Sequence, residues 1–268
     1  MPEDLHSTLP PFRTWARGTR PVLALHCSLA HSGAWSGLAE RLTGITMTAP
    51  DQPGHGRAPD WDGVSDLHAI TTDSSISMAE DLGDGGPIDL MGHSFGGTVA
   101  LRMALERPDL VRSLTLIEPV IFAAARGTAE YARFCATHLG LADMIATGDM
   151  TVAARVFHGQ WGEGRFDDLP EKTRRYFIER ISMIAAQNPY LVDDSAGLLR
   201  AGGLESITVP VLLIEGADSP EIIGALHGAL AARLPFVRRL SVAGAGHMVP
   251  ITHPDWIAGA IQAHLGKA

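Results

Sequence analysis

The sequence predicts an α/β fold, a doubly wound and mostly parallel sheet into which a block of helices is inserted. Short, largely apolar, β-prone runs recur along the 268 residues with helix-compatible stretches between them, the pattern of parallel strands buried on both faces. That alternation breaks between about residues 122 and 206, where helical segments follow one another without a strand. A chain of this length buries a substantial core, and α/β architectures of this size commonly fold as one domain with an insertion. Residues 1–121 and 207–268 are therefore expected to form the core, and residues 122–206 a helical cap.

Taken in order, the strands are residues 21–26, 45–49, 88–91, 113–117, 209–215 and 237–242, each brief and apolar enough to be covered on both sides. Residues 34–42, 98–106, 221–233 and 255–264 are the helices between and after them. In the inserted block, Tyr131, Phe134, Met144, Trp161, Phe166, Tyr176, Phe177, Met183 and Tyr190 either line a pocket or pack the helices together. Trp161 lies in a glycine-flanked stretch, residues 159–164, and is the better pocket candidate.

Composition narrows the function. The net charge of −9 and the scattered basic residues exclude a nucleic-acid partner, since binding a phosphate backbone rests on clustered Lys and Arg. The densest basic run, Lys172, Arg174 and Arg175, reads as a solvated helix face. No apolar stretch is long enough to cross a bilayer, so no membrane partner is expected. Residues 1–6 carry two acids and no secretory leader, and Cys27 and Cys135 are too few for a disulfide framework. A cytoplasmic location is the expectation.

Gly92-His93-Ser94-Phe95-Gly96 fits G-x-S-x-G, whose glycines let a strand turn sharply into a helix and leave the serine exposed on the elbow. The pentapeptide alone is weak, but an apolar strand enters it and a helix leaves it, which is the context the motif demands. A serine hydroxyl needs a base, and His247 in Gly244-Ala245-Gly246-His247 follows the last strand on a glycine-rich loop. The imidazole needs a carboxylate in turn. Asp218, after the strand at 209–215, and Glu118, at the end of the preceding strand and followed by Pro119, both lie where open α/β sheets keep their sites. Both stay open.

The negative charge that develops on a substrate carbonyl needs two backbone N–H donors. Phe95, directly after the serine, supplies one, and Ser28 in the loop His26-Cys27-Ser28-Leu29 the other. Cys27 reads as a small buried residue rather than a nucleophile. Cys27 and Leu29 beside that loop, Trp161, and Met248 beside His247 are expected to border the substrate pocket. No metal is expected, because no H-E-x-x-H or paired-cysteine spacing occurs, and no organic cofactor is called for.

Four motifs in this order resemble the α/β-hydrolase superfamily over nearly the whole chain. They are the oxyanion loop from His26 to Trp35, the D-x-P-G-H-G turn Asp51-Gln52-Pro53-Gly54-His55-Gly56, the elbow from Gly92 to Gly97, and the histidine loop from Gly244 to His247. Two departures stand out. Cys27 replaces the glycine usual after the first histidine of the oxyanion loop. The family's acid commonly lies three residues beyond a glycine after its strand, but Gly216 plus three is Ser219. Some relatives place the acid at the end of the previous strand, which leans the choice toward Glu118. The resemblance implies a serine hydrolase cleaving a small or medium carboxylic ester through an acyl-enzyme. Hydrolysis of a C–C bond in a diketone, of a lactone or of a thioester is the alternative within the enzymes, and a non-catalytic ligand-binding protein the alternative outside them.

Overall fold

Seven strands build one sheet: β1 Phe12–Ala16, β2 Gly18–Leu25, β3 Gly44–Pro50, β4 Ile88–His93, β5 Val111–Ile117, β6 Val211–Gly216 and β7 Val237–Val242. In this computed structural model, which describes residues 9–268, their spatial order is β1-β3-β2-β4-β5-β6-β7. Residues 1–6, where the sequence reading expects no secretory leader, lie outside the described residues. β1 runs antiparallel to β3, and every other pairing is parallel.

Strand β2 shows why the parallel strands are apolar throughout. Val22 and Ala24 join a cluster on one face with Trp35, Leu38, Ile257 and Ile261, while Leu23 and Leu25 join the cluster on the other with Val99, Leu101 and Leu226. Successive side chains point to opposite faces, so a strand covered twice has no solvent-facing position to spend on a polar residue.

The helices are α1 Ser36–Ala39, α2 Leu67–Gly83, α3 Phe95–Glu106, α4 Ala129–Ala146, α5 Met150–Trp161, α6 Glu171–Arg180, α7 Ser182–Ala186, α8 Asn188–Leu191, α9 Glu221–Ala231, α10 Val249–Thr252 and α11 Pro254–Leu265. The helix expected at 34–42 is shorter than its pattern. A 3₁₀ turn, Ser32–Trp35, and the single turn of α1 present buried Trp35, Leu38 and Ala39, and Leu42, just beyond them, is buried too. β6 starts at Val211 rather than at 209 because Pro210 has no N–H to give to the ladder. The sequence reading misses β1, the long helix α2 and the single turn of α10.

Between β5 and β6 the described residues form helices and no strand. Leu141, Ala153, Ala154, Phe166, Ile181 and Ile184 from this block make a cluster distinct from the two sheet faces, joined by Leu29 from the loop after β2. Among the described residues no helix is long and apolar enough to cross a membrane.

Candidate active site

The G-x-S-x-G segment is built by close backbone crossing. A Cβ on Gly92 would come within 2.3 Å of the Gly96 carbonyl oxygen, and one on Gly96 within 2.3 Å of the Leu25 carbonyl oxygen. Only glycine fits at either place. Ser94, at the corner between β4 and α3, takes φ 55° and ψ −119°, a region costly for a residue with a side chain. Its N–H donates to the Ile117 carbonyl at 2.9 Å, tying the corner to the end of β5. α3 begins at Phe95, so the positive end of that helix's dipole lies at the serine.

Glu118 follows β5, also at positive φ, 46°, and is fully buried. A carboxylate there needs donors, and it has them. Its Oε2 lies 2.5 Å from His247 Nδ1; its Oε1 accepts the Gly216 N–H at 2.6 Å and the Ser219 hydroxyl. Holding the proton on Nδ1 leaves Nε2 of His247 as the lone-pair nitrogen. His93 steadies the same loop by donating from Nε2 to the His247 carbonyl oxygen at 2.9 Å. Burial and then the neighbouring His247 push His93 down to about 3, which keeps it a neutral donor.

Asp218, the other acid the sequence leaves open, is exposed, and its backbone N–H donates to the Ala245 carbonyl at 2.9 Å. The structure brings Glu118 and not Asp218 to the imidazole. Ser219, at the position three beyond Gly216, supplies a hydroxyl to Glu118 in place of a carboxylate of its own.

The loop after β2 is fixed by His26. Its Nδ1 donates to the Cys27 carbonyl at 2.8 Å and its Nε2 accepts the Gln52 N–H at 3.1 Å, so both nitrogens of a neutral ring are used. Burial, with His55 close by, holds His26 down at about 3. In a trans peptide the carbonyl and the next N–H point in opposite directions, so anchoring the Cys27 carbonyl turns the Ser28 N–H away from His26. Among the described residues neither the Ser28 nor the Phe95 N–H is taken up by another protein group. Leu29 is at φ 59°, the third non-glycine residue of this region in left-handed backbone. Cys27 is buried, and burial pushes its thiol up to about 12, far from a reactive thiolate.

The turn after β3 braces this loop. Asp51 accepts from the Ser32 N–H at 2.7 Å and from the Arg57 backbone N–H and Nε, each at 3.1 Å. Burial alone would raise the Asp51 carboxyl, but these bonds outweigh it and hold it near 2. Tyr176 of α6 donates to the Ala30 carbonyl and accepts the Gly56 N–H, both at 3.1 Å, so one phenol ties the inserted helices to both loops.

Ser94 and His247 border one cavity of about 450 Å³. Cys27, Ser28, Leu29, Trp161 and Met248 border it too, as does Phe177 among the aromatic residues of the inserted block. Trp161 meets the His247 ring edge to face, with centroids 4.8 Å apart at 68°. Phe134 instead packs on Phe122 with centroids 4.0 Å apart. The sequence reading misses Phe122, Phe157, Leu191, Gln187 and Asn188, which also border the cavity. Their facing is set by how short helices pack on one another, and no spacing in the sequence carries that. Among the described residues no group of three or more His, Cys, Asp or Glu side chains is placed to hold a metal.

Residues 22–260 match the Alpha/beta hydrolase family. The chain is similar to lipase LipV of Mycobacterium tuberculosis, with 29% identity over 263 residues, 93% of this chain and 94% of that protein. It is 27% identical over 257 residues to the pimeloyl-[acyl-carrier protein] methyl ester esterase of Nitrosomonas europaea, covering 90% of this chain and 94% of the other. Among solved structures, a thermophilic esterase from Thermogutta terrifontis shares the fold, with a TM-score of 0.73 at 24% identity over 96% of this chain and 93% of that one. The chain thus belongs to the alpha/beta hydrolase family and is a hydrolase.

Proposed function

We propose that this chain hydrolyses small or medium carboxylic esters with Ser94 as nucleophile, His247 as general base and acid, and Glu118 as the carboxylate that orients it. The observation that carries the reading is the 2.5 Å contact of His247 Nδ1 with buried Glu118, on an imidazole that borders the same cavity as the elbow serine. Ser94 Oγ attacks the ester carbonyl while His247 Nε2 takes its proton. The charge on the carbonyl oxygen falls to the N–H groups of Ser28 and Phe95 and to the positive end of α3. His247 then protonates the departing alcohol, leaving an acyl-enzyme, and in the second half activates the water that releases the acid. Glu118 holds the ring in orientation and stabilises the imidazolium.

The helical block of residues 122–206 is the cap of this site in our reading, contributing Trp161, Phe157 and Leu191 to the pocket, with the flanking segments as the core. A cavity of about 450 Å³ with a mainly apolar lining suits a compact acyl group. The relatives matched over 94% of their length, a lipase and a methyl ester esterase, favour an oxygen ester over other acyl compounds. A panel of p-nitrophenyl esters of increasing chain length tests this. Turnover of the short and medium esters should fall by at least about 10³-fold in Ser94→Ala. Wild-type rates no higher than those of Ser94→Ala across the panel would remove the ester assignment.

A further inference from the structure

Gln187, between α7 and α8, is 2% exposed and borders the cavity. Its Oε1 accepts the Ser28 hydroxyl at 2.9 Å, which fixes the plane of the side-chain amide. Its Nε2 is buried and has no partner among the described residues. Buried donors are almost always paired, because leaving one unpaired forfeits its hydration without return. In the cavity lining the side chains of Leu29, Val120, Ile184 and Leu191 carry no acceptor, and the side-chain carbonyl Oδ1 of Asn188 is already taken by His138 Nε2 at 2.6 Å.

We infer that Gln187 is a specificity-determining residue whose amide donates to a second hydrogen-bond acceptor on the substrate, so that the cavity prefers oxygen-bearing acyl groups, alkoxyacyl or oxoacyl, over plain alkyl ones. This rests on the proposed reading of Ser94 as nucleophile and of the Ser28 N–H as a donor to the carbonyl oxygen. Ser28 links the two halves of the argument. Its N–H faces the scissile carbonyl and its hydroxyl orients Gln187, so the free amide protons lie one side chain away from the reacting group. An acceptor they reach is within a few bonds of that carbonyl. We place it on the acyl part, because the leaving oxygen must lie beside His247, which protonates it, whereas Gln187 is bonded to Ser28, whose N–H takes the carbonyl oxygen in the proposed reading. Donation from the Ser28 hydroxyl to Oε1 also polarises the amide and strengthens its N–H as a donor.

The test compares matched p-nitrophenyl esters that differ in one acceptor: methoxyacetate against butanoate, and 4-oxopentanoate against 4-methylpentanoate. Each kcat/KM is divided by the ester's own rate of alkaline hydrolysis, which removes intrinsic reactivity. Wild type should favour the oxygen-bearing member of at least one pair by about tenfold or more, and Gln187→Met, similar in length but without donors, should collapse that ratio to near one. A wild-type ratio near one in both pairs overturns the inference and needs no variant to do so. A Gln187→Met variant in which both members fall in proportion also overturns it, since that marks a third donor to the carbonyl oxygen or a loss of structure. Turnover of none of the four esters above the Ser94→Ala background would instead remove the underlying ester reading, and this inference with it.

Discussion

Glu118 gathers three donors, the Gly216 N–H, the Ser219 hydroxyl and His247 Nδ1, around a side chain with no exposure to solvent. Replacing one carboxylate oxygen by an amide in Glu118→Gln forces an N–H against one of these donors and spoils the tautomer of His247. In the proposed reaction kcat should fall by about 10³- to 10⁴-fold with KM changed only a few-fold, whereas Asp218→Asn, at an exposed side chain, should stay within about twofold of wild type. Steady-state kinetics on one p-nitrophenyl ester decide it, and a larger loss in Asp218→Asn would reverse the assignment. The sequence left these two acids open for a physical reason. Both stand at carboxyl ends of strands, and what separates them is the path of the loop after β6, where Asp218 bonds to Ala245 through its backbone and turns its side chain to solvent. The legible clue was Ser219 at the third place beyond Gly216, a residue able to hold a carboxylate but not to be one.

At the scale of elements, the elbow was legible and α2 was not. The elbow shows in the sequence because sterics force glycine: in Gly96→Ala the new methyl would sit 2.3 Å from the Leu25 carbonyl oxygen and 2.5 Å from that of His26. Overpacking against backbone should cost about 3 kcal/mol, read as a drop in the denaturant midpoint; a loss below about 1 kcal/mol would contradict the close crossing. α2, Leu67–Gly83, hides because its buried side includes hydroxyl residues. Thr71, Thr72 and Ser75 satisfy themselves by donating to the carbonyls of Leu67, His68 and Thr71, at 2.6, 2.7 and 2.7 Å, so polar residues occupy positions where a stripe of apolar ones would betray a helix. Its start is conventional, with the Asp66 carboxylate accepting the Ala69 N–H at 2.6 Å. β1 hides because it is an edge strand, largely exposed, with no alternation to read.

Across the whole molecule, buried neutral histidines set the response to acid. Burial is the leading cause at each of five: His26, His68, His93 and His227 are held down to about 3, and His55 to about 4. The unfolded chain takes up these protons below about pH 6.5, while the folded protein refuses them until pH falls to about 3 to 4. Stability from this source is therefore complete above pH 6.5 and is lost as pH falls. Each histidine removes about 1.4 kcal/mol per pH unit within that window, and five together about 7 kcal/mol per unit, against a total stability of about 5 to 15 kcal/mol. The protein should unfold cooperatively near pH 5, followed by circular dichroism. His227→Leu should shallow the slope by about one proton, since the ring makes no well-aligned hydrogen bond among the described residues, its Nδ1 lying 3.3 Å from Glu215 Oε2. A melting temperature unchanged from pH 7 to pH 5 would contradict this.

The claim on which the functional account rests is that Ser94 is an activated nucleophile. Treatment with a fluorophosphonate, followed by intact-mass and peptide mass spectrometry, tests it most directly. One phosphonyl group should add per chain on the peptide carrying Ser94, with labelling abolished in Ser94→Ala and slowed by about 10³-fold in Glu118→Gln. No modification of the folded wild type, or a label on another residue that persists in Ser94→Ala, would contradict it.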